Sequence, residues 1–464
     1  MGMDVPWAME QGILLLGAPI GSMEFCRKVI ESRMAKVVTL TQKLSSLRDS
    51  QLEFLLLRSG LSLPKVAYIL RMVEMEPFVD ILQQYDCATR DQLERIIASP
   101  ISDDTWEQIK LRVSDGGLGI RATVDHARAA YCASKLSTLG AVKEILGLDT
   151  EEADPVPHSL LDTLAKDLEW DRQETTAESL QDFNQRYLSL RIDLKNLEKF
   201  NKRMEDQNER ERARVKQLSI PYAGAWLTAI PIPYHGTAMC TQDFALACRL
   251  RLGLDVDPPV VPSQWVGPNT HEEMYRRKGD FAMCNPQDGG WTARHNLVRD
   301  AVHELASKAK LGPKLKKQYL VEDSAIRPAD IWVPSFPVGV DTCLDVGVVY
   351  PLQKQHVRHS ARDVGYSVTE MRLKKLRKYQ GRLLSTSKIQ PMIFDALGGW
   401  DADTVTVIKK MVTIWARDED RDEKLLLRKF TQMVAVLIQQ GNSWLLKDAR
   451  AFPDTDYHED AGSS

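Results

Sequence analysis

Two aspartates and one lysine in the last third of the chain stand beside segments that could form strands and a helix. Asp330 comes directly before the apolar segment Ile-Trp-Val, and Asp345 lies fifteen residues further on, at the start of a second apolar segment. Lys375 lies in a later basic segment. Carboxylates hold Mg²⁺ through oxygen, and a lysine stabilises charge near a nucleophile or a developing anion. Together these groups could support metal-assisted cleavage of a phosphodiester bond.

These groups can meet only if the segments around them form one small domain. Apolar residues at helical spacing predict a helix from residue 294 to 311, and the segments after Asp330 and around Asp345 predict two strands. A turn containing Pro337 and Gly339 would join the strands, and a basic helix would follow over 369–380. This order predicts an α/β domain with a small mixed sheet over residues 293–388.

The rest of the chain is predicted to be mainly helical. The apolar run at 12–21 predicts a buried strand and a turn, and Pro64 is expected to divide the helical pattern over 51–74. Opposite charges interleave over 190–218, which predicts a long exposed helix. The predicted regions are a helical region (1–150), a charged helical linker (151–218), a connector rich in Pro, Gly and Trp (219–292), C-terminal helices (389–450) and a disordered tail (451–464).

Composition restricts the function classes. The net charge of −3 argues against a chain devoted throughout to nucleic-acid binding, because phosphate binding needs clustered Lys and Arg. Between His356 and Lys388, however, the sequence has nine Lys or Arg residues and only two acidic residues. The basic residues could form a local phosphate-binding patch. The seven cysteines include no CxxC pair, so reduced thiols in an intracellular protein are expected. No apolar run is long enough to span a bilayer, and no membrane partner is expected.

Four sequence blocks resemble, in the same order, the restriction-like endonuclease domain of non-LTR retrotransposon reverse transcriptases. They are RHN (294–296), RPADI (327–331), LDVGVVYPLQ (344–353) and KKLRKY (374–379). Upstream, the blocks at 12–21, 55–58, 68–71, 116–121 and 129–134 resemble the region after the polymerase palm, with the primer-gripping strand and thumb. The blocks at 224–231 and 244–254 resemble the connector of that family, and 394–400 resembles its terminal extension. The resemblance implies a thumb-like helical region followed by a restriction-endonuclease-like α/β domain.

The resemblance also implies roles for single residues. Asp330 and Asp345 would bind Mg²⁺ or Mn²⁺, and Lys375 would be the catalytic lysine, with Lys378 as the rival alignment. Glu304 is a weaker candidate for an additional acid. The residues that would contact nucleic acid are Arg294, His295, Arg327, Lys374, Arg377 and Lys378.

The sequence departs from the family pattern in three places. No Asp-Asp pair of the polymerase type precedes residue 17, so reverse transcription by this chain alone is not expected. The zinc knuckle lacks its CxxC, and Phe281 stands where the family has His, so Cys284 alone remains of that motif and zinc binding is not expected. Gly347 stands where the family tends to have Thr, and a glycine weakens a strand interior.

The resulting prediction is a truncated, partly degenerate retroelement protein that nicks DNA with Mg²⁺ or Mn²⁺. Its expected partners are DNA and the element's RNA, and its expected location is the nucleus. The alternative left open is a catalytically inactive remnant with the same fold, which either binds nucleic acid or serves a structural role. The sequence predicts no particular oligomeric state.

Overall fold

The computed structural model describes residues 12–147, 163–166, 168–169, 184–256, 275–284, 289–318, 329–336, 338–379 and 382–451. The chain divides into two compact units, unit 1 (Met1–Asp206) and unit 2 (Gln207–Ser464). Most described residues are helical, with one two-stranded sheet and one four-stranded sheet. None of the described helices combines the length and apolarity needed to cross a bilayer. All seven cysteines carry free thiols.

Unit 1 is helical apart from one hairpin. Several of its helices begin at a polar residue whose side chain accepts a hydrogen bond from the first turn, as Ser22, Asp49 and Ser102 do. Its main described elements are β1 (Gly12–Leu15), β2 (Ala18–Gly21), α1 (Met23–Gln42), α2 (Ser50–Leu56), α3 (Leu63–Met72), α4 (Val79–Ile97), α5 (Asp103–Lys110), α6 (Thr123–Leu146) and α7 (Gln185–Glu205). The predicted division near Pro64 is confirmed, because a π-helical turn over Leu57–Leu61 separates α2 from α3.

The apolar run at 12–21 forms an exposed hairpin, so the prediction of a buried strand was wrong. β1 and β2 pair antiparallel, and Gly17 adopts φ +85° in the turn between them. Leu14 and Leu15 are more than half exposed, and Leu16 in the turn is 88% exposed. A two-stranded sheet has few neighbours to cover it, and here Ala18 on β2 is buried whereas the tip of the hairpin is not.

The segment 190–218 was predicted as one long exposed helix, and this prediction was also wrong. It is divided between α7, which ends unit 1, and a separate helix of unit 2 that begins after Asn208. The Asn208 side chain accepts a hydrogen bond from Glu211 N, which caps the second helix. α7 buries Leu188 and Ile192 in a cluster shared with α6. Its charged residues therefore cover one face of a packed helix. Of the predicted linker, residues 163–166, 168–169 and 184–218 are described, and its other residues lie outside the described part of the chain.

A buried histidine makes the stability of unit 1 depend on pH. Burial and the charge of Arg121 lower the pKa of His126 to about 4, so the neutral ring is favoured in the folded state. The free energy of unfolding is therefore highest above the unfolded-state pKa of His126, about 6.5. It decreases as the pH falls from there towards the folded-state pKa, by about 3 kcal/mol in total. We expect His126→Phe, which cannot titrate, to gain about 2 kcal/mol relative to wild type between pH 7 and pH 5. Urea unfolding at both pH values measures this, and a pH-independent difference between the two proteins would contradict it.

Unit 2 surrounds the four-stranded sheet with helices. Its described elements are α8 (Glu209–Gln217), α9 (Thr241–Leu252), α10 (Asp280–Cys284), α11 (Gly290–Lys308), β3 (Lys314–Leu315), β4 (Ile331–Val333), β5 (Asp341–Val349), α12 (Val357–Ser360), α13 (Tyr366–Tyr379), β6 (Ser387–Asp395), α14 (Ala402–Asp418) and α15 (Glu423–Ala451). The predicted helix, two strands and basic helix of the α/β region are all present, as α11, β4, β5 and α13. Helices after residue 400 are likewise confirmed.

The sheet is small and mixed, as predicted, with strand order β3-β4-β5-β6. β4 pairs antiparallel with β5, whereas β5 and β6 run parallel over nine residue pairs, from Asp341↔Ser387 to Val349↔Asp395. β6 was not predicted, and the predicted domain boundary at residue 388 falls inside it. The helices α12 and α13 form the crossover that a parallel strand pair requires.

Side-chain alternation along β5 determines which helices cover each face of the sheet. Leu344 and Val346 point into the large core formed with α11, α14 and α15. Val349 belongs to the opposite face, where it packs with Val368 of α13 and Ile393 of β6. Because side chains alternate between the faces of a strand, Asp345 and Gly347 share the face of Val349. The sheet is therefore buried on both sides, which explains the near-continuous apolar sequences of β5 and β6.

Candidate active site

The two aspartates of the sequence prediction lie opposite each other on neighbouring strands. The β4–β5 register pairs Ile331 with Leu344, so one further step of the same register places Asp330 opposite Asp345. The backbone N–H of Asp330 donates to the carbonyl of Leu344 at 3.1 Å, which extends the pairing beyond β4. Directly opposed residues of an antiparallel pair have Cβ atoms about 5 Å apart. The sheet therefore brings the two carboxylates to one place.

Asp330 is held by two hydrogen bonds from different elements. His295 Nε2 on α11 lies 3.1 Å from Asp330 Oδ1, and the backbone N–H of Val346 donates to Oδ2 at 2.9 Å. Burial acts to raise the pKa of Asp330, but the hydrogen bond and charge of His295, together with the Val346 N–H, outweigh it. The pKa of Asp330 consequently lies below its ordinary value. Asp330 is therefore favoured as a carboxylate.

Asp345 has a different environment. Lys375 Nζ on α13 donates to Asp345 Oδ1 at 2.6 Å and to the carbonyl of Val346 at 2.8 Å. Burial raises the pKa of Asp345, the charge of Lys375 acts against this, and the charge of Asp330 adds to the rise. The net result is a pKa above the ordinary value for Asp. The pKa values of the two carboxyl groups are thus shifted in opposite directions, and perturbed pKa values occur often at functional sites.

Gly347 provides the space through which Lys375 reaches Asp345. A Cβ at this position would lie 3.0 Å from Met371 Cε, 3.1 Å from Lys375 Cε and 3.2 Å from Ile393 Cδ1. β5 continues unbroken through Gly347, so the glycine does not interrupt the strand. The glycine therefore leaves room for the side chains of this site. The sequence analysis had predicted only that a glycine in place of the family's threonine would weaken the strand.

Replacing Gly347 should separate stability from activity. We expect Gly347→Ala to change the free energy of unfolding by less than about 1.5 kcal/mol, because its close neighbours are the ends of flexible side chains. Any nucleolytic rate should fall by roughly tenfold, because Lys375 must shift by a few tenths of an ångström. Thermal unfolding and rates at saturating DNA would measure the two effects. Equal rates for variant and wild type would show that the approach of Lys375 is not needed.

The remaining predicted residues are distributed unevenly around this site. Lys374, Arg377 and Lys378 are exposed on α13, where they could meet a ligand in solution. Lys378, the rival candidate for the catalytic lysine, lies over the ring of Tyr379 with Nζ 4.8 Å from the ring centroid. The geometry therefore favours Lys375 as the lysine of the site. Arg327 lies outside the described residues.

Arg294 occupies a structural position rather than a surface that could meet phosphate. Its side chain is 3% exposed, and Nη1 donates to Asn442 Oδ1 on α15 at 2.8 Å. A Cβ on Gly441 would lie 2.5 Å from Arg294 Cγ, so α11 and α15 pack closely around this arginine. Burial lowers the pKa of Arg294 to about 10, although the charge of Asp395 opposes this. The expected nucleic-acid contact of Arg294 has no support in this geometry.

The donor set suits a hard cation such as Mg²⁺ better than zinc. Mg²⁺ is commonly held by one or two carboxylates, with water and substrate phosphate completing its coordination, and Asp330 and Asp345 supply two. No group of three His, Cys, Asp or Glu side chains suited to a metal occurs among the described residues. Glu304, the additional candidate acid, is 56% exposed and forms an ion pair with Lys308. Burial raises the pKa of Cys284, which disfavours the thiolate that zinc requires.

Comparisons with known proteins assign no family to this chain. No family model matches it, and no curated protein matches it. The likeness to the endonuclease domain of non-LTR retrotransposons therefore stays a prediction from the four sequence blocks.

Proposed function

We propose that unit 2 cleaves one strand of DNA with Mg²⁺ or Mn²⁺ at a site formed by Asp330, Asp345 and Lys375. The observation that carries this proposal is the pairing of β4 with β5, which opposes the two carboxylates while α13 brings Lys375 to Asp345. The order of the sequence blocks supports descent from a retroelement nuclease and, with it, activity in the nucleus.

Each residue of the site would have its own role in hydrolysis. Asp330 and Asp345 would hold the metal ion, which when bound polarises the phosphodiester and lowers the pKa of water. A water attacks phosphorus and releases a proton to the solvent as its P–O bond forms, the P–O ester bond to the leaving group breaks, and the departing oxygen takes a proton from the solvent. Lys375 is placed to stabilise the negative charge that develops during this step. His295 would keep Asp330 ionised and fix its orientation.

The exposed residues of α13 would bind the DNA backbone. Lys374, Arg377 and Lys378 lie on the helix that also carries Lys375, so phosphate contacts there would position a strand near the carboxylates. Contacts of this kind give affinity that falls with salt and little sequence readout. The proposal therefore predicts cleavage without strong sequence preference by this chain alone.

A second candidate is an inactive module that binds nucleic acid through the same helix. It is favoured by one observation: both carboxylates already have partners, because His295 Nε2 lies 3.1 Å from Asp330 and Lys375 forms an ion pair with Asp345. A metal ion would have to compete with these two contacts. The two candidates differ in cleavage but agree in DNA binding, which makes them separable.

Incubation of the full chain with supercoiled plasmid tests the proposal. We expect conversion to the open circular form with Mg²⁺ or Mn²⁺, none with EDTA, and none for Asp330→Asn or Asp345→Asn. Asp341→Asn is the matched control, because Asp341 lies on the same strand but accepts a hydrogen bond from Ser335 N and contacts neither carboxylate. Nicking that persists in both site variants would refute the assignment. Salt-dependent DNA binding without nicking in the wild type would establish the inactive module instead.

A further inference from the structure

Three aromatic rings lie together on the surface of unit 2, between α12 and the start of α13. The ring of His359 stacks on that of Tyr366, with the centroids 4.6 Å apart and an interplanar angle of 19°. His356 contacts the same tyrosine at a tilt of 63°, with 6.2 Å between the centroids. His359 is exposed, and its stack with Tyr366 occupies only one face of the imidazole. The other face can receive a further planar group, and we call these three residues the aromatic platform.

The segment that carries the platform is fixed by one buried side chain. Gln217 at the end of α8 is fully buried, and its Nε2 donates to the carbonyls of Ser360 and Asp363 at 2.6 and 2.9 Å. Its Oε1 accepts a hydrogen bond from the backbone N–H of Gly365 at 2.8 Å. These bonds join the end of α12 to the residue before Tyr366. The rings of the platform are thus oriented before a ligand arrives, which lowers the entropic cost of binding.

Cations without acidic partners lie on the same elements as the platform. Burial lowers the pKa of His356, the charge of Glu370 opposes this and the charge of Lys374 adds to it, so both of these α13 side chains lie near the platform. Glu370 already contacts Arg377 at 3.6 Å, and Asp363 is the other acid of this surface. Four exposed basic residues of α12, α13 and the segments beside α12 form no ion pair within the described part of the chain: Lys354, Arg358, Arg362 and Lys374.

An exposed ring among cations suits a nucleotide, which combines a planar base with an anionic phosphate. Aromatic side chains that stack on bases bind single strands with little sequence preference. Within a duplex the neighbouring bases cover each base face, so the platform can stack only on a base that has left the helix. Tyr366 and Lys375 lie on the same helix, about 14 Å apart along its axis, which is the length of roughly four stacked nucleotides. A base on the platform would therefore lie within a few nucleotides of the proposed cleavage site.

We infer that the aromatic platform holds an unpaired base of the DNA that unit 2 cleaves, so that the preferred substrate is single-stranded or locally unpaired DNA. This inference rests on the proposed function for the identity of the ligand, and it deepens that function by naming the form of the DNA. The cations supply affinity that falls with salt, whereas the ring supplies the preference for an unpaired base.

Binding of a single-stranded oligonucleotide in EDTA tests the platform apart from any cleavage. The oligonucleotide carries one 2-aminopurine, a base whose fluorescence is quenched when it stacks. We expect quenching by wild type and by His359→Phe, whereas His359→Ala should bind roughly 5- to 100-fold more weakly and lose the quenching, because one stacked base is lost. His235→Ala is the matched control, because His235 is also exposed but its ring meets that of Tyr234 at 64° rather than in a stack. It should bind like wild type.

Several results of this binding experiment would overturn the inference, once thermal unfolding has shown that each variant is folded. One is the absence of quenching by wild type, and another is binding by His359→Ala that equals wild type. A loss in His359→Phe as large as in His359→Ala would show that stacking is not the contact. Equal affinity for dAMP and for the oligonucleotide would assign the ring to a free nucleotide instead.

Cleavage assays separate failure of this inference from failure of the proposed function. With Mg²⁺, wild type should nick a duplex that contains a short unpaired bubble roughly fivefold or more faster than a fully paired duplex, and His359→Ala should bring this ratio towards one. Equal nicking of both substrates by wild type overturns the inference and leaves the proposed nuclease standing. Quenching in EDTA without nicking of either substrate refutes the nuclease and leaves the platform as a binding site for unpaired DNA.

Discussion

Lys375→Met is expected to slow plasmid nicking by roughly 100- to 1,000-fold, the loss typical of removing one electrostatic donor from an active site. Methionine has most of the length and apolar surface of the Lys375 side chain. The substitution therefore removes only the charge and its hydrogen bonds. Asp345 would then lose the cation that acts against its burial, and the pKa of Asp345 would rise further above its ordinary value. The variant should therefore lose both charge stabilisation and a readily ionised metal ligand.

The neighbouring lysines are the controls for this prediction. Lys374 and Lys378 are exposed on the same helix, so Lys374→Met and Lys378→Met should weaken DNA binding in low salt but leave the rate at saturating DNA almost unchanged. Single-turnover nicking and binding at several salt concentrations separate the two effects. A larger loss of rate in Lys378→Met than in Lys375→Met would transfer the catalytic assignment to Lys378.

Arg294→Ala is expected to lower the free energy of unfolding by about 3–5 kcal/mol, as happens when one partner of a buried charged pair is removed. The buried carboxyl of Asp395 would lose the positive charge that acts against its burial, which already raises its pKa to about 7. Asn442 would also lose the hydrogen bond from Nη1. The shortened side chain would leave a cavity where Gly441 now allows α15 to approach α11.

This prediction distinguishes a structural arginine from one that binds nucleic acid. Urea unfolding measures the loss of stability, and DNA binding below the unfolding transition should keep the salt dependence of wild type. Lys374→Ala is the converse control, with unchanged stability and a smaller salt dependence of binding. A stable Arg294→Ala protein with weakened DNA binding would restore the role that its sequence motif suggested.

Local patterns predicted the elements that carry the candidate site. The helical spacing after Arg294, the apolar segments after Asp330 and around Asp345, and the basic helix with Lys375 correspond to α11, β4, β5 and α13. β6 was missed because its sequence was assigned to the region beyond the domain. Parallel pairing joins residues 46 positions apart, such as Asp341 and Ser387, and short-range periodicity does not detect pairing over that distance. The hairpin at 12–21 was misjudged because apolarity was taken for burial.

Within the site, residue types were easier to predict than their contacts. Two aspartates and a lysine at suitable places were visible in the sequence, but the partner of each carboxylate depends on how helices pack on the sheet. His295 and Arg294 are adjacent in one motif, yet only His295 faces a site aspartate and Arg294 points into the core. A helix places neighbouring residues about 100° apart, so a basic motif alone does not identify which member faces outward.

The parallel pairing of β5 and β6 also makes the site dependent on chain beyond its own motifs. The chain leaves the sheet after β5, forms α13 and returns to the sheet as β6. Lys375 therefore lies in the crossover between two strands, and this crossover is fixed at both ends only when β5 and β6 are paired. A fragment ending after Tyr379 would contain every motif residue and still lack the strand that closes this loop. The catalytic residues and the strand that completes the fold of unit 2 should therefore be inherited together. A recombination or deletion point between α13 and β6 would abolish both the activity and the cooperative folding.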